Sequence, residues 1–247
     1  MSGFDDRFAP NDEAIISELN LFSEQTCAEL CRRIHSLREH WVQRHESAPF
    51  FTLGAASYLD GDRYDAARYK QEMQRTRPLL SEHFAEIYEP LRLAFAEVMA
   101  APCQYHPDLA LPGFHVYLAD PIFERRMGSI HIDLQYEQTG ADATFEVDLR
   151  RQWSLTLALQ LPRTGGGLRV WPVDGYVLRG ADPEQRAKVL AVQPKASFHP
   201  YRVGALAVHS GFLFHQIAPI TTLHPNDQRI TLQAHAIWAG DRYLMYW

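Results

Sequence analysis

GALAVHSGFLFHQIAPI (204–220) and DQRITLQAHAIW (227–238) are the stretches whose reading decides the fold. Within them ALAVHS (205–210), FLFHQI (212–217) and RITLQAHAIW (229–238) read as short strands, bounded by glycine, proline, asparagine and aspartate. The same texture reaches upstream to about residue 113. FHVYLA (114–119), SIHIDLQY (129–136), WSLTLALQL (153–161) and LRVWPV (168–173) are strand-like, and Gly165, Gly166 and Gly167 make a tight turn between the last two. Short strands with no parallel βαβ rhythm and no internal repeat point to a sandwich or barrel. The more polar segment GYVLRGADPEQRAKVLAVQPKA (175–196) reads as a long excursion.

Outward from that core, the first hundred residues read mainly as helix. SEQTCAELCRRIHSLREH (23–40) opens with Ser23 as N-cap and places Cys27, Leu30, Cys31, Ile34 and Leu37 on one face. A second helix is expected over about 78–100, with Pro78 and Pro90 starting or kinking its pieces. Between them FFTLGAASYL (50–59) looks like a strand and DGDRYD (60–65) like an exposed loop. The expectation is a mainly β chain forming a single domain over 1–247. A largely helical support region (1–112) would pack on one side of a double-stranded β-helix, or jelly-roll, catalytic core (113–247).

Composition narrows the function classes. The chain has 247 residues, 46% of them apolar and 22% charged, which is ordinary for a globular protein with a sizeable core. Its 24 basic and 30 acidic residues give a net charge of −6, which argues against a nucleic-acid partner, since binding phosphates needs a basic face. No apolar run approaches the roughly 18 residues of a membrane span, and MSGFDDRFAPNDEAI at the start has no signal-peptide pattern. Three cysteines, Cys27, Cys31 and Cys103, without a second Cys/His pair at finger spacing, exclude a zinc finger and fit reduced thiols in the cytoplasm. The sequence leaves the oligomeric state open.

Two histidines and a carboxylate on one side of a metal leave the opposite positions open, as ferrous iron needs to bind both a co-substrate and dioxygen. In SIHIDLQY, strand alternation turns His131 and Asp133 the same way, with Gln135 on that face if the strand continues. His106 and Asp108 share the HxD spacing, but Pro107 between them reads as a turn. Five residues are candidates for a third ligand: His199, His209, His215, His224 and His235. Of these, His199 and His224 precede prolines in loops. Arg229, fourteen residues after His215, shares a strand face with Thr231, and a guanidinium with a neighbouring hydroxyl suits a carboxylate.

Together these residues resemble the iron(II)/2-oxoglutarate-dependent dioxygenases, in the prolyl-hydroxylase-like branch. The order of His215, apolar residues, Pro219, a loop, then Arg229-x-Thr231 is similar to the family's pattern and favours His215 over His209. WSLTLALQLPRTGGGLRVWP (153–172) is similar to the branch's co-substrate wall, where Leu168 would lie, and Tyr117 is placed like the branch's co-substrate tyrosine. The resemblance covers about 114–240. It implies that His131, Asp133 and His215 bind Fe(II) and form the catalytic centre. Arg229, with Thr231, Tyr117 and Leu168, would hold 2-oxoglutarate. Oxidative decarboxylation to succinate would then drive C–H hydroxylation with dioxygen. A carboxylate at 133 implies hydroxylation, because halogenating relatives have a small residue there.

The substrate is expected to be a small molecule, a free amino acid or a natural-product intermediate, with a peptidyl or protein hydroxylase as the alternative. A non-catalytic cupin-like binding protein is the rival of another class, but cupins carry HxH spacings that this chain lacks. AlkB-type nucleic-acid demethylases carry a second arginine where this chain has His235. Gln135, Gln233, His235 and Arg126 are candidate substrate contacts, and Arg125, Arg150 and Arg151 flank the same strands as possible carboxylate partners.

Overall fold

A computed structural model describes residues 16–61, 66–141, 145–178, 181–192 and 196–247. In chain order the elements are β1 (Ile16–Asn20), α1 (Glu24–Ser36), β2 (Val42–Gln43), β3 (Phe50–Leu53), α2 (Ser57–Asp60), α3 (Ala67–Met99), β4 (Cys103–Tyr105), β5 (Gly113–Leu118) and α4 (Ile122–Arg125). They continue as β6 (Val147–Gln160), β7 (Leu168–Asp174), α5 (Pro183–Val192), β8 (Ser197–His199), β9 (Ala205–Ser210), β10 (Leu213–Ile217), β11 (Gln228–Ala239) and β12 (Arg242–Tyr246).

Among the described residues these strands form two sheets. The major sheet runs β1-β9-β6-β11-β5-β3-β2, with β12 on the far end of β11 and β4 beside β12; the minor sheet runs β10-β7-β8. Pairing is antiparallel except between β12 and β4. This is the jelly roll expected from the sequence.

Strand β11 shows how the pattern builds it. Ile230, Leu232, Ala234 and Ala236 join one apolar cluster with Leu30 and Ile34 of α1 and Leu80, Phe84, Ile87 and Phe95 of α3. Arg229, Gln233 and His235, the alternate residues, line a cavity on the other side of the sheet. A period of two on the strand therefore separates a dry face from a polar one. The helices cover the dry face: α1 is capped by Ser23, whose hydroxyl accepts from Thr26 N at 3.1 Å, and buries Cys27, Leu30, Cys31 and Ile34 as expected.

Four expectations need correction. Helix α3 begins at Ala67 and runs through both Pro78 and Pro90; its geometry breaks at Phe84, where the buried ring packs against Phe114 at 4.7 Å. The strand expected over 50–59 ends at Leu53, because Gly54 takes φ 114°, a conformation closed to most side chains, and α2 follows. Asp60 is buried rather than exposed, held by Arg44 Nη1 at 2.5 Å and Nη2 at 2.7 Å; residues 62–65 of that expected loop lie outside the described residues.

The fourth correction concerns 129–136, which is no strand. His131 makes a single bridge to His215 (N to O, 3.0 and 2.9 Å) and Asp133 N bonds Gly211 O at 2.7 Å. The chain then turns into a 3-10 segment at Gln135–Gln138. The region up to 112 also supplies four strands of the major sheet, so helical support and core share one sheet. The 175–196 excursion contains a 3-10 turn at Gly175–Leu178 and α5; residues 179–180 and 193–195 lie outside the described residues.

Candidate functional site

His131, Asp133 and His215 meet at the cavity. The extended segment carrying the first two runs alongside β10, so the bridge between residues 131 and 215 brings both imidazoles to one place, with ring centroids 4.3 Å apart. His131 Nε2 lies 3.6 Å from Asp133 Oδ1, and His215 Nε2 lies 3.4 Å from Asp133 Oδ2. One ligand atom from each of the three falls within 4.8 Å of the others.

Both histidines are held the same way. His131 Nδ1 bonds Ser129 O and His215 Nδ1 bonds Leu213 O, each at 2.8 Å. A carbonyl only accepts, so Nδ1 carries the proton and Nε2 presents its lone pair, which is the tautomer a metal ligand needs. The Asp133 carboxylate is fixed on both oxygens, by Gln135 Nε2 on Oδ1 and Ser154 Oγ on Oδ2. Burial alone would push its carboxyl up, but His215, with His235 and His131, holds it well below the usual carboxylate range. An anionic carboxylate facing two pre-oriented imidazoles fits a divalent cation.

The other histidines sort themselves by geometry. His209 is buried with its Nδ1 on Ser210 O at 3.0 Å, its ring 4.7 Å from that of His215, and burial depresses it to about 3. His235 places Nδ1 4.0 Å from Asp133 Oδ2 and burial depresses it to about 4. His199 pairs with Glu18 at 3.5 Å on β8, away from the cavity, and His224 sits in the loop before β11. The HxD at His106 is a turn, with Asp108 N on His106 Nδ1.

Arg229 lies at the other end of the polar face. It is 1% exposed, and among the described residues no carboxylate lies within ion-pair distance of it. Its Nε donates to Gly166 O at 2.9 Å and its Nη1 to Thr231 Oγ1 at 3.1 Å. Gly166 adopts φ 72° in the glycine turn, which brings that carbonyl to the guanidinium. Tyr117, the register partner of Arg229, and Tyr201 flank it, with ring centroids 5.8 and 5.6 Å from Cζ. Leu168 lines the same wall. A buried cation without a counter-ion is costly, and an anion in the cavity could offset that cost.

The cavity joining the two ends has a volume of about 1060 Å³. Of the four candidate substrate contacts, Gln135, Gln233 and His235 line it and Arg126 does not; Arg126 is exposed and donates to Gly128 O at 3.1 Å. Gln233 is tied into the Arg229 end, donating to Thr231 Oγ1 at 2.8 Å and accepting from Thr156 Oγ1 at 3.1 Å. Arg125 is exposed, Arg150 lies over Tyr176 at 4.8 Å, and Arg151 lies over Trp238 at 3.6 Å, none of them on the cavity wall.

Sequence reasoning missed Ser154, Thr156, His115, Tyr58 and Tyr201. Alternation along WSLTLALQL would have placed Ser154 and Thr156 on one face, and alternation along FHVYLA would have placed His115 beside Tyr117. Tyr58, whose hydroxyl meets His115 Nε2, comes from α2 and carries no local signal.

No family model matches the chain, and no curated protein matches its sequence. Solved structures resemble it in fold. A novel N-substituted L-amino acid dioxygenase from Burkholderia ambifaria AMMD, in complex with alpha-KG, aligns with a TM-score of 0.56 over 94% of this chain and 85% of its own, at 15% identity. The non-heme alpha-ketoglutarate-dependent carbocyclase SnoK from nogalamycin biosynthesis aligns at 0.51 over 91% of this chain and 79% of its own, at 12% identity. The likeness is one of fold: the chain has the double-stranded β-helix of these oxygenases.

Proposed function

We propose that this protein is an Fe(II)- and 2-oxoglutarate-dependent oxygenase that hydroxylates a small molecule. One observation carries the reading. A three-residue cation site and an unpaired buried arginine open into the same cavity. That is what a metal bound by one end of a dicarboxylate, anchored at its other end, requires.

His131 Nε2, a carboxylate oxygen of Asp133 and His215 Nε2 would hold the iron. With 2-oxoglutarate and dioxygen, the bound iron supplies the oxidation that converts a substrate C–H bond to C–OH while the co-substrate becomes succinate and carbon dioxide. The chain's own residues do the positioning. Ser129 O and Leu213 O fix the two imidazoles; Gln135 and Ser154 fix the carboxylate. Arg229 would hold the distal carboxylate of 2-oxoglutarate, Thr231 would add a hydroxyl, and Tyr117 and Leu168 would wall that end. Phe50, stacked on Tyr117 at 4.3 Å, and Phe214 help exclude water from the anchored end.

The same reading places the protein in the cytoplasm, supported by three free cysteines; no described helix is long and apolar enough to cross a membrane. The test is release of succinate on addition of Fe(II), 2-oxoglutarate and oxygen, with product mass read for the gain of one oxygen atom. Absence of 2-oxoglutarate binding to the metal-loaded protein would remove the reading.

A further inference from the structure

The metal residues and Arg229 account for the charged groups of the cavity and leave its apolar wall without an assigned occupant. That wall is formed by Ile130, Ile132, Leu134, Leu59, Trp171 and Leu190, the last from α5. The polar residues beside it are electrically neutral. Burial keeps the His115 imidazole well below its ordinary pKa. Burial likewise keeps the Tyr58 phenol protonated, far above its ordinary pKa. Among the described residues the only aspartate, glutamate, lysine or arginine residues on the whole cavity wall are Asp133 and Arg229, both already assigned.

Among the described residues, four that line the cavity carry a buried atom with no hydrogen-bond partner: His115 Nδ1, Gln135 Oε1, Gln138 Oε1 and His235 Nδ1; Gln135 and His235 are 5% and 7% exposed. The Gln135 amide is oriented by chemistry. A carboxylate only accepts, so Nε2 faces Asp133 and Oε1 is left as an acceptor. An unsatisfied buried acceptor is destabilising, and a hydroxyl or N–H on a bound molecule would satisfy it.

Size and charge point the same way. Pockets that enclose drug-sized ligands run to about 300–1,000 Å³, and this cavity, metal and co-substrate ends included, has about 1060 Å³. A free amino acid would bring a carboxylate and an ammonium into an apolar chamber that offers neither a counter-ion. The arginines that the sequence offered for a substrate carboxylate lie off the cavity wall.

We propose that the substrate half of this cavity takes an uncharged molecule with an apolar body bulkier than a free amino acid and at least one hydroxyl or N–H group, received at Gln135 and His235. This rests on the proposed function only for where the co-substrate lies; within it, the free amino acid of the sequence-based expectation is set aside.

The experiment is calorimetric titration of the full chain loaded with zinc, which is redox-inert, and saturated with 2-oxoglutarate. Two matched pairs serve as probes: 2-naphthamide against 2-naphthoate, and N-acetylphenylalaninamide against phenylalanine. The neutral member of each pair should bind at least tenfold tighter. Leu59→Lys, which puts an ammonium on the wall at a half-buried position, should weaken 2-naphthamide and strengthen 2-naphthoate. Equal or tighter binding of the charged members, binding of none of the four, or probe affinities unmoved by Leu59→Lys would each overturn the proposal. Failure of the oxygenase reading is seen separately, as no heat from 2-oxoglutarate titrated alone. The pairs are then measured in Arg229→Ala, where naphthoate meets no cation, and the neutral preference must still hold.

Discussion

Strand β11 offers two sets of residues under almost identical backbone conditions. Ile230, Leu232, Ala234 and Ala236 point to the helices and are sealed in the main core. Arg229, Thr231, Gln233 and His235 point the other way and are just as buried, except for the half-buried Gln233. Burial does not distinguish the two faces; satisfaction does. On the helix side the groups need no partners. On the cavity side, among the described residues, Arg229 has no counter-ion, Gln135 Oε1 and His235 Nδ1 have no hydrogen-bond partner, and Asp133 is an anion surrounded by imidazoles. A fold keeps such groups only where something else completes them. On the proposed function one face serves stability and the other serves ligands, so substitutions on the two faces should fail in different assays.

The largest effect is expected at the proposed metal centre. His215→Ala removes a ligand whose Nε2 lies 3.4 Å from Asp133. Iron binding, read by calorimetry under anaerobic conditions, should be lost, while circular dichroism stays that of a folded chain. Retained iron affinity in this variant would break the assignment and return His209, its ring 4.7 Å away, as the third ligand.

Arg229 should separate the two faces most sharply, because on the proposed function its buried charge is completed by the co-substrate. Arg229→Leu should weaken 2-oxoglutarate binding by about 2–5 kcal/mol, the usual cost of truncating one partner of a buried charge pair. Thermal stability without co-substrate should not fall and is expected to rise, since a desolvated cation is replaced by an apolar group. A variant that lost stability along with affinity would mean that the guanidinium is structural, through Gly166 O and Thr231 Oγ1.

The mirror experiment is Leu232→Ala, one residue from Thr231 on the other face. Leu232 is fully buried among α1, α3 and the sheet. Truncation should cost about 2–5 kcal/mol of unfolding free energy, measured by denaturant titration. Affinity for iron and 2-oxoglutarate should stay within about twofold, well under the 1.4 kcal/mol of a tenfold change. A parallel loss of ligand affinity would show that the faces are coupled through the strand.

The sequence was most legible where this alternation runs undisturbed. β5, β7, β9, β10 and β11 fall close to their expected spans, and the helix opened by Ser23 has its expected face. His131, Asp133, His215 and Arg229 were readable because their types and spacing are rare in apolar runs. Legibility failed where tertiary contacts override local pattern. SIHIDLQY has strand alternation, but only residues 131 and 133 find partners, and the chain turns at Leu134. FFTLGAASYL reads apolar throughout, yet Gly54 ends the strand and α2 then delivers Tyr58 to a histidine 57 positions away. The arginines chosen for the substrate were read from proximity in sequence, which carries no information about which side of a strand they leave from.

The smallest predicted effect probes the layer between the two faces. Ser154 sits on β6, in register with His235 of β11 and His209 of β9, and its hydroxyl donates to Asp133 Oδ2. Gln135 donates to the other oxygen. Neither residue belongs to the three-residue metal group; both hold the carboxylate in one rotamer. Removing a group that orients a metal ligand typically costs about 10–100-fold in metal affinity. Ser154→Ala should therefore weaken iron binding by about that factor, and Ser154→Thr, which keeps the hydroxyl, should recover most of it. Stability should move by less than in Leu232→Ala, because the serine contributes little apolar area. If Ser154→Ala left iron affinity unchanged, Gln135 alone would suffice to orient Asp133. The serine would then belong with the residues that shape the cavity floor rather than with those that prepare the carboxylate.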